Sequence, residues 1–310
     1  MKKLLIIVIA IFMLSCEKDF PSSKHEIGRV DIGTAYGVKI SGNNAYVGNN
    51  DGVVIIDIAN PEKPEKVTTL RTNEAVFGIF IEGHTLFAGS SGSQNLRAFD
   101  ISNPNEAVLI SSITFDGIVV GICKNESNLF VATQNGNLLA IDVTDLTNMN
   151  LIKTRSFNGQ GQSIVCNQNY IYFANAKKGL LIIDVSDPEN PTLIETMGGT
   201  QGAWALNMND NYLCLSKHSN GFNIYSLDNP ALPHYLISKS NGGESYGICN
   251  EGNYIFVADL QQGIEIWDAI DMENPVLLET IDEYTTHGLT ARDDLIFLAD
   301  QDRGFVILRH

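Results

Sequence analysis

A short string recurs along the chain and limits what it can fold into. "KGLLIIDVSDPENP" (178–191) has near copies in "DGVVIIDIANPEKP" (51–64), "GNLLAIDVTDLTN" (136–148) and "QGIEIWDAIDMENP" (262–275). Aligned on its acidic residue, the slot holds Asp57, Asp100, Asp142, Asp184, Ser226, Asp268 and Arg309, with steps of 43, 42, 42, 42, 42 and 41 residues. A period near 42 means a solenoid or a propeller, and the content of one period decides between them. Within residues 159–198, "QSIVCN", "NYIYFAN", "GLLIIDV" and "PTLIETM" are short segments rich in β-branched and aromatic residues, separated by Asn, Gly, Asp and Pro. No stretch has a helical period. Four short antiparallel strands, apolar without clean alternation, describe a propeller blade covered on both faces by its neighbours.

A second series supports a closed ring. One slot of each first strand reads Gly37, Gly78, Gly121, Ser163, Ala205, Gly247 and Gly288, all small, as expected where blades converge on an axis. The next slot is aliphatic throughout (Val38, Ile79, Ile122, Ile164, Leu206, Ile248, Leu289) and is assigned to the core between blades. The last repeat, from about Thr285, supplies three strands and stops at His310. "HEIGRVDIG" (25–33) reads as an unpaired fourth strand. The fold expected is all-β: a seven-bladed β-propeller with four antiparallel strands per blade, its last blade closed by residues 25–33. Closure in this way removes exposed sheet edges and fits a monomer.

The recurring string then reads as a building instruction. Gly starts the third strand after a turn that needs positive φ. The apolar run fills the core, Asp accepts N–H groups of the following turn, and Pro sets that turn. These aspartates are scaffold rather than catalytic or metal-binding groups. "GLLIIDVSDPENP", preceded by "NYIYFAN", resembles the LVIVD-repeat family of bacterial proteins, taken to be β-propellers. The resemblance covers roughly residues 34–310 and is weakest in the fifth repeat, where Ser226 replaces Asp. It implies a propeller, often at the cell surface or envelope, and no agreed reaction.

Residues 1–15 read as an export signal: Lys2 and Lys3, then an apolar run from Leu4 to Leu14 too short to span a bilayer as a helix. Ser15–Cys16 then resembles the lipobox of bacterial lipoproteins, with Met13 where that family prefers leucine. The resemblance implies acyl chains on Cys16, which anchor stably when there are two or more. An ordinary secretory signal with an incidental cysteine is the alternative. "EKDF" (17–20) resembles a surface-export tag of some Gram-negative bacteria, and residues 16–24 form a tether. The expected location is the bacterial cell envelope, at the outer membrane, with surface exposure implied by the tag. Without residues 1–15 the chain has 18 basic and 36 acidic residues, which gives it no electrostatic reason to bind nucleic acid. Cys123, Cys166, Cys214 and Cys249 remain. An even number in an exported chain allows a disulfide, but each lies in an apolar strand pattern and no two share a repeat, so free buried thiols are expected.

Function on a propeller sits at a mouth of the central channel. Just before the small slot lie Tyr36, Phe77, Val120, Gln162, Trp204, Tyr246 and His287; just after the second strand lie Asn49, Thr133, Asn175, Lys217, Asp259 and Asp300. Aromatic faces beside polar tips suit a protein or glycan partner. The residues expected to bind are Tyr36, Phe77, Trp204, Tyr246 and His287, with Lys217 and Asp259 at the polar edge; packing at the axis is the alternative role for the aromatics. No Gly-x-Ser-x-Gly, His-Glu-x-x-His, phosphate-loop or Cys-x-x-Cys motif occurs. The first functional expectation is therefore a non-enzymatic binding propeller without a cofactor. The second is a hydrolase or lactonase using calcium, for which Asn175, Asp259 and Asp300 offer the hard oxygen ligands required.

Overall fold

Each repeat folds into four antiparallel strands, and a computed structural model describes residues 25–92, 95–240, 242–260 and 262–310. The expected export signal, Cys16 and the tether lie outside the described residues. There are seven four-stranded sheets. The fourth blade is typical: Gly161–Asn167, Tyr170–Asn175, Gly179–Asp184 and Thr192–Met197, paired in that order. Among the described residues the one helical element is a 3-10 turn at Pro104–Glu106, and no helix is long and apolar enough to cross a membrane.

The ring closes as its ends require. Glu26–Val30 pairs antiparallel with Gly304–Arg309, Glu26 opposite Leu308 and Val30 opposite Phe305, and completes the blade begun at Thr286. One apolar cluster fills each of the seven seams between blades. The aliphatic slot is buried at all seven positions, from Ile164 at 4% to Leu289 at 9% exposed. The small slot is explained by close approach: a Cβ on Gly288 would stand 2.7 Å from the Tyr36 carbonyl oxygen of the next blade. At the head of the third strand Gly179 has φ +100°, and a side chain there would meet Thr200 Oγ1.

The repeated acidic residues bind their own turns. Asp57, Asp100, Asp142, Asp184 and Asp268 each accept the N–H two residues on, at 2.8–3.0 Å. Ser226 does the same with its hydroxyl at 3.2 Å, so the Asp-to-Ser change in the fifth blade keeps the bond. These bonds hold the Asp100 carboxyl below the usual carboxylate range, and the Thr144 hydroxyl and N–H do so for Asp142.

The cysteines depart from expectation. Cys123 and Cys166 form a disulfide, with Cα atoms 5.8 Å apart. They lie on the innermost strands of the third and fourth blades, and their separation of 43 residues, one repeat plus one, sets them side by side across that seam. An apolar pattern in each strand does not exclude pairing between blades. Cys214 and Cys249 are free and buried.

Candidate functional site: the aromatic mouth of the channel

A β-bulge aims the mouth residues. In the first strand of six blades the pairing skips one residue: between Ala35 and Gly37, Val76 and Gly78, Val119 and Gly121, Gly161 and Ser163, Ser245 and Gly247, Thr286 and Gly288. The skipped residues are Tyr36, Phe77, Val120, Gln162, Tyr246 and His287. A bulge leaves its extra residue outside the ladder and redirects its side chain. In the fifth blade the strand begins only at Leu206, and Trp204 is held by its N–H on the Ser216 carbonyl at 2.9 Å. All seven side chains line one cavity of about 410 Å³ at this end of the channel, and all seven are half-buried.

The aromatic rings make an arc. Trp204 and Tyr246 meet at 4.7 Å between centroids, tilted by 69°, and Tyr246 meets His287 at 5.2 Å and 77°. Tyr36 and Phe77 meet at 4.7 Å. Such tilted contacts set edges against faces. His218 joins the arc: its ring lies 5.7 Å from Trp204 and 5.0 Å from Tyr246, and its Nε2 is 2.9 Å from the Tyr246 hydroxyl. Nothing in the spacing of the histidines marked His218. It arrives through a turn in which it adopts φ +50° and bridges to Ser245 of the sixth blade. Burial pushes His287 below the usual histidine value, so its ring is neutral at pH 7, against the Gln301 side chain.

The polar residues after the second strands lie elsewhere than at the rim. Lys217 and Asp259 are 6% and 1% exposed, and neither lines the mouth. Asn175 Oδ1 accepts the N–H groups of Gln160, Lys177 and Lys178 at 3.0–3.2 Å. Asp259 accepts Gln262 N–H at 2.8 Å. Asp300 accepts those of Thr285, Asp302 and Arg303 at 2.8–3.0 Å. The reason is local: turn N–H groups shielded from water need acceptors. Asn175, Asp259 and Asp300 thus serve three separate turns and do not converge. Among the described residues no group of three or more His, Cys, Asp or Glu is spaced to share a cation.

The channel continues into a second cavity of about 400 Å³, which shares Phe77, Val120, Ser163 and Ala205 with the first. Its wall includes the Cys123–Cys166 disulfide, Lys39 and Lys124. Lys124 pairs with Glu82 at 2.5 Å. Lys39 lines the bore, where the surrounding protein pushes its pKa down although the side chain remains exposed to the channel.

Fold and mouth together define a seven-bladed β-propeller whose central opening carries an arc of aromatic side chains. The chain belongs to the LVIVD-repeat family: the LVIVD repeat matches residues 32–72, 122–155, 158–198 and 242–286, just over half of its length, in the first, third, fourth and sixth blades. No curated protein matches the chain. Solved structures with the same fold include the β-propeller domain of Cps50 (Swd1) from Myceliophteria thermophila, with 14% identity, TM-score 0.75 and coverage of 92% of this chain and 98% of that one. U3-55K has 8% identity, TM-score 0.73 and coverage of 91% and 97%. The computationally designed Ika8 protein has 11% identity, TM-score 0.67 and coverage of 89% and 83%. At such identities the likeness is one of fold.

Proposed function

We propose that this chain is a non-enzymatic binding propeller, held by lipid at the bacterial cell envelope, which engages a protein or glycan partner through its aromatic mouth. The observation that carries the reading is the convergence of seven same-slot side chains, six of them bulge residues, on one open cavity. Trp204 and Tyr246 are neither sealed between blades nor spread over the surface. Half-buried aromatic rings around a concavity are the groups that anchor partners, through stacking on a sugar face or insertion of a partner side chain.

Two further features support the envelope part of the reading. A disulfide is maintained in oxidising compartments outside the cytosol, and Cys123–Cys166 is one. The first described strand enters at Glu26, opposite Leu308, on the face of the disc away from Tyr36 and the mouth. With lipid on Cys16, this entry point would leave the mouth free for a partner.

Trp204→Ala is expected to weaken partner binding by roughly 1–3 kcal/mol, an interface anchor's share, with the melting temperature nearly unchanged. Retention of envelope proteins and binding to a panel of glycans, compared between parent and variant, measure this. Equal binding by Trp204→Ala and Tyr246→Ala would remove the mouth from the proposal. For the anchor, Cys16→Ala is expected to leave the protein without lipid and to release it from membranes on fractionation. A variant that stays with the membranes, with lipid found in neither form, would show that Cys16 is no anchor.

A further inference from the structure

Lys217 breaks the repeat where Asn49, Asn175, Asp259 and Asp300 accept the N–H groups of their turns. A lysine has three donors and no acceptor. The turn of the fifth blade closes on its own backbone instead, with Lys217 N–H on the Gly221 carbonyl at 2.7 Å and Asn220 N–H on the Lys217 carbonyl at 3.0 Å. The side chain turns into a cavity of about 270 Å³ on the flank of the ring, whose lining includes Gly198, Asn223, Tyr225, Tyr235 and Ser238. This blade is also one that the LVIVD repeat does not match.

Two buried groups in this cavity lack what burial demands. Lys217 is 6% exposed, and its Nζ reaches Ser238 Oγ at 3.2 Å. No carboxylate among the described residues forms an ion pair with it. Asn223 is 4% exposed; its Nδ2 donates to Tyr225 Oη at 2.8 Å, while its Oδ1 has no hydrogen-bond partner among the described residues. A buried cation without a counter-charge and a half-satisfied buried amide each destabilise a fold. Burial accordingly pushes the Lys217 pKa down. Local rules broken without gain to the fold mark functional positions. The amide and the phenol can also exchange roles. With Tyr225 Oη–H donating to Oδ1, the Asn223 NH₂ takes the place of the unpartnered oxygen beneath the cavity wall, and the cavity itself offers two donors, the ammonium and the Ser238 hydroxyl.

We infer that this flank cavity is a second binding site, which takes a carboxylate, with Lys217 as its counter-charge. The carboxylate comes either from a small free acid or from an Asp or Glu side chain of a docking chain. The site is independent of the mouth and stands or falls without it.

Thermal unfolding of the purified chain in sodium acetate, against sodium chloride of equal ionic strength, tests the inference, with an aspartate-rich hexapeptide as a second probe. A ligand that binds only the folded state raises the melting temperature with its concentration. The parent is expected to show this rise and Lys217→Met to lose it, while melting in chloride no lower than the parent. Asn223→Asp, which sets a carboxylate beside the ammonium, is expected to raise the melting temperature in chloride and to abolish the acetate response. A response to the hexapeptide at concentrations where acetate is silent assigns the carboxylate to a partner chain; a response to acetate alone assigns it to a free acid. The inference is overturned if the parent responds to neither probe, if Lys217→Met responds as the parent does, or if it melts lower in chloride. The NMR shift of the Lys217 ε-methylene in the parent gives a second reading: no change on adding either probe overturns the site.

Discussion

Removal of residues 25–33 is expected to abolish the stable monomer. The deletion takes away the outer strand of the seventh blade and leaves the Gly304–Arg309 edge unpaired. It also strips Ile27, Val30 and Ile32 from the cluster at the seam of the first and seventh blades, which contains Phe297, Phe305 and Ile307. Two polar ties go with it: Asn49 Nδ2 to the Ile32 carbonyl at 2.9 Å, and Tyr284 Oη to Glu26 at 3.1 Å. Partial burial of three aliphatic side chains and a handful of ladder bonds amount to about 5 kcal/mol, comparable to the net stability of a whole domain. An open propeller also presents a free strand edge, which templates association. Size-exclusion chromatography and thermal melting should show aggregate or a large loss of stability. A monomer with the parent's melting temperature would mean that the ring does not depend on this strand.

The closure was legible because the repeat is strict where the backbone is crowded. Gly37, Gly121 and Gly288 sit where inner strands nearly touch, so the small slot can be followed around the ring in the sequence itself. Asp57 through Asp268 could be read as turn ligands because the residues after them are turn formers, and they are turn ligands. The seven mouth positions could be found from register alone. Their common aim could not, since it depends on a bulge, and no residue type marks the extra residue of a pair. The second ring misled for a physical reason. Asn175 and Asp300 are the polar types expected at a binding rim, yet the same chemistry is what hidden turn N–H groups require. Lys217 was the exception within that ring. A residue unable to accept a hydrogen bond, in a series of acceptors, was a signal available in the sequence, and the structure takes its side chain to the flank.

Breaking the Cys123–Cys166 bridge is expected to have the other large effect. The bond closes a loop across one seam, with a sequence separation of 43 residues. A loop of that length restricts the unfolded chain by an amount worth up to about 4 kcal/mol, and measured values for such bridges fall at about 2–4 kcal/mol. Cys123→Ser with Cys166→Ser should therefore lower the melting temperature by roughly 5–10 °C, given about 2–4 °C per kcal/mol for a domain of this size. Reductant should bring the parent to the same value and leave the variant unmoved. Thiol titration of the unfolded, unreduced parent, truncated before residue 25, should count Cys214 and Cys249 alone; four reactive thiols would show that the bridge does not form. The effect goes beyond chain entropy, because the bridge and the N-terminal strand secure different seams. Cys123 packs in the apolar cluster between the third and fourth blades, roughly across the ring from the composite blade. A ring opens at whichever seam is weakest, so the two losses share one unfolded state. Double removal should therefore cost the full sum of the single removals if opening at either seam unfolds the whole ring, and depart from the sum if the other seams hold the blades folded after the first has parted.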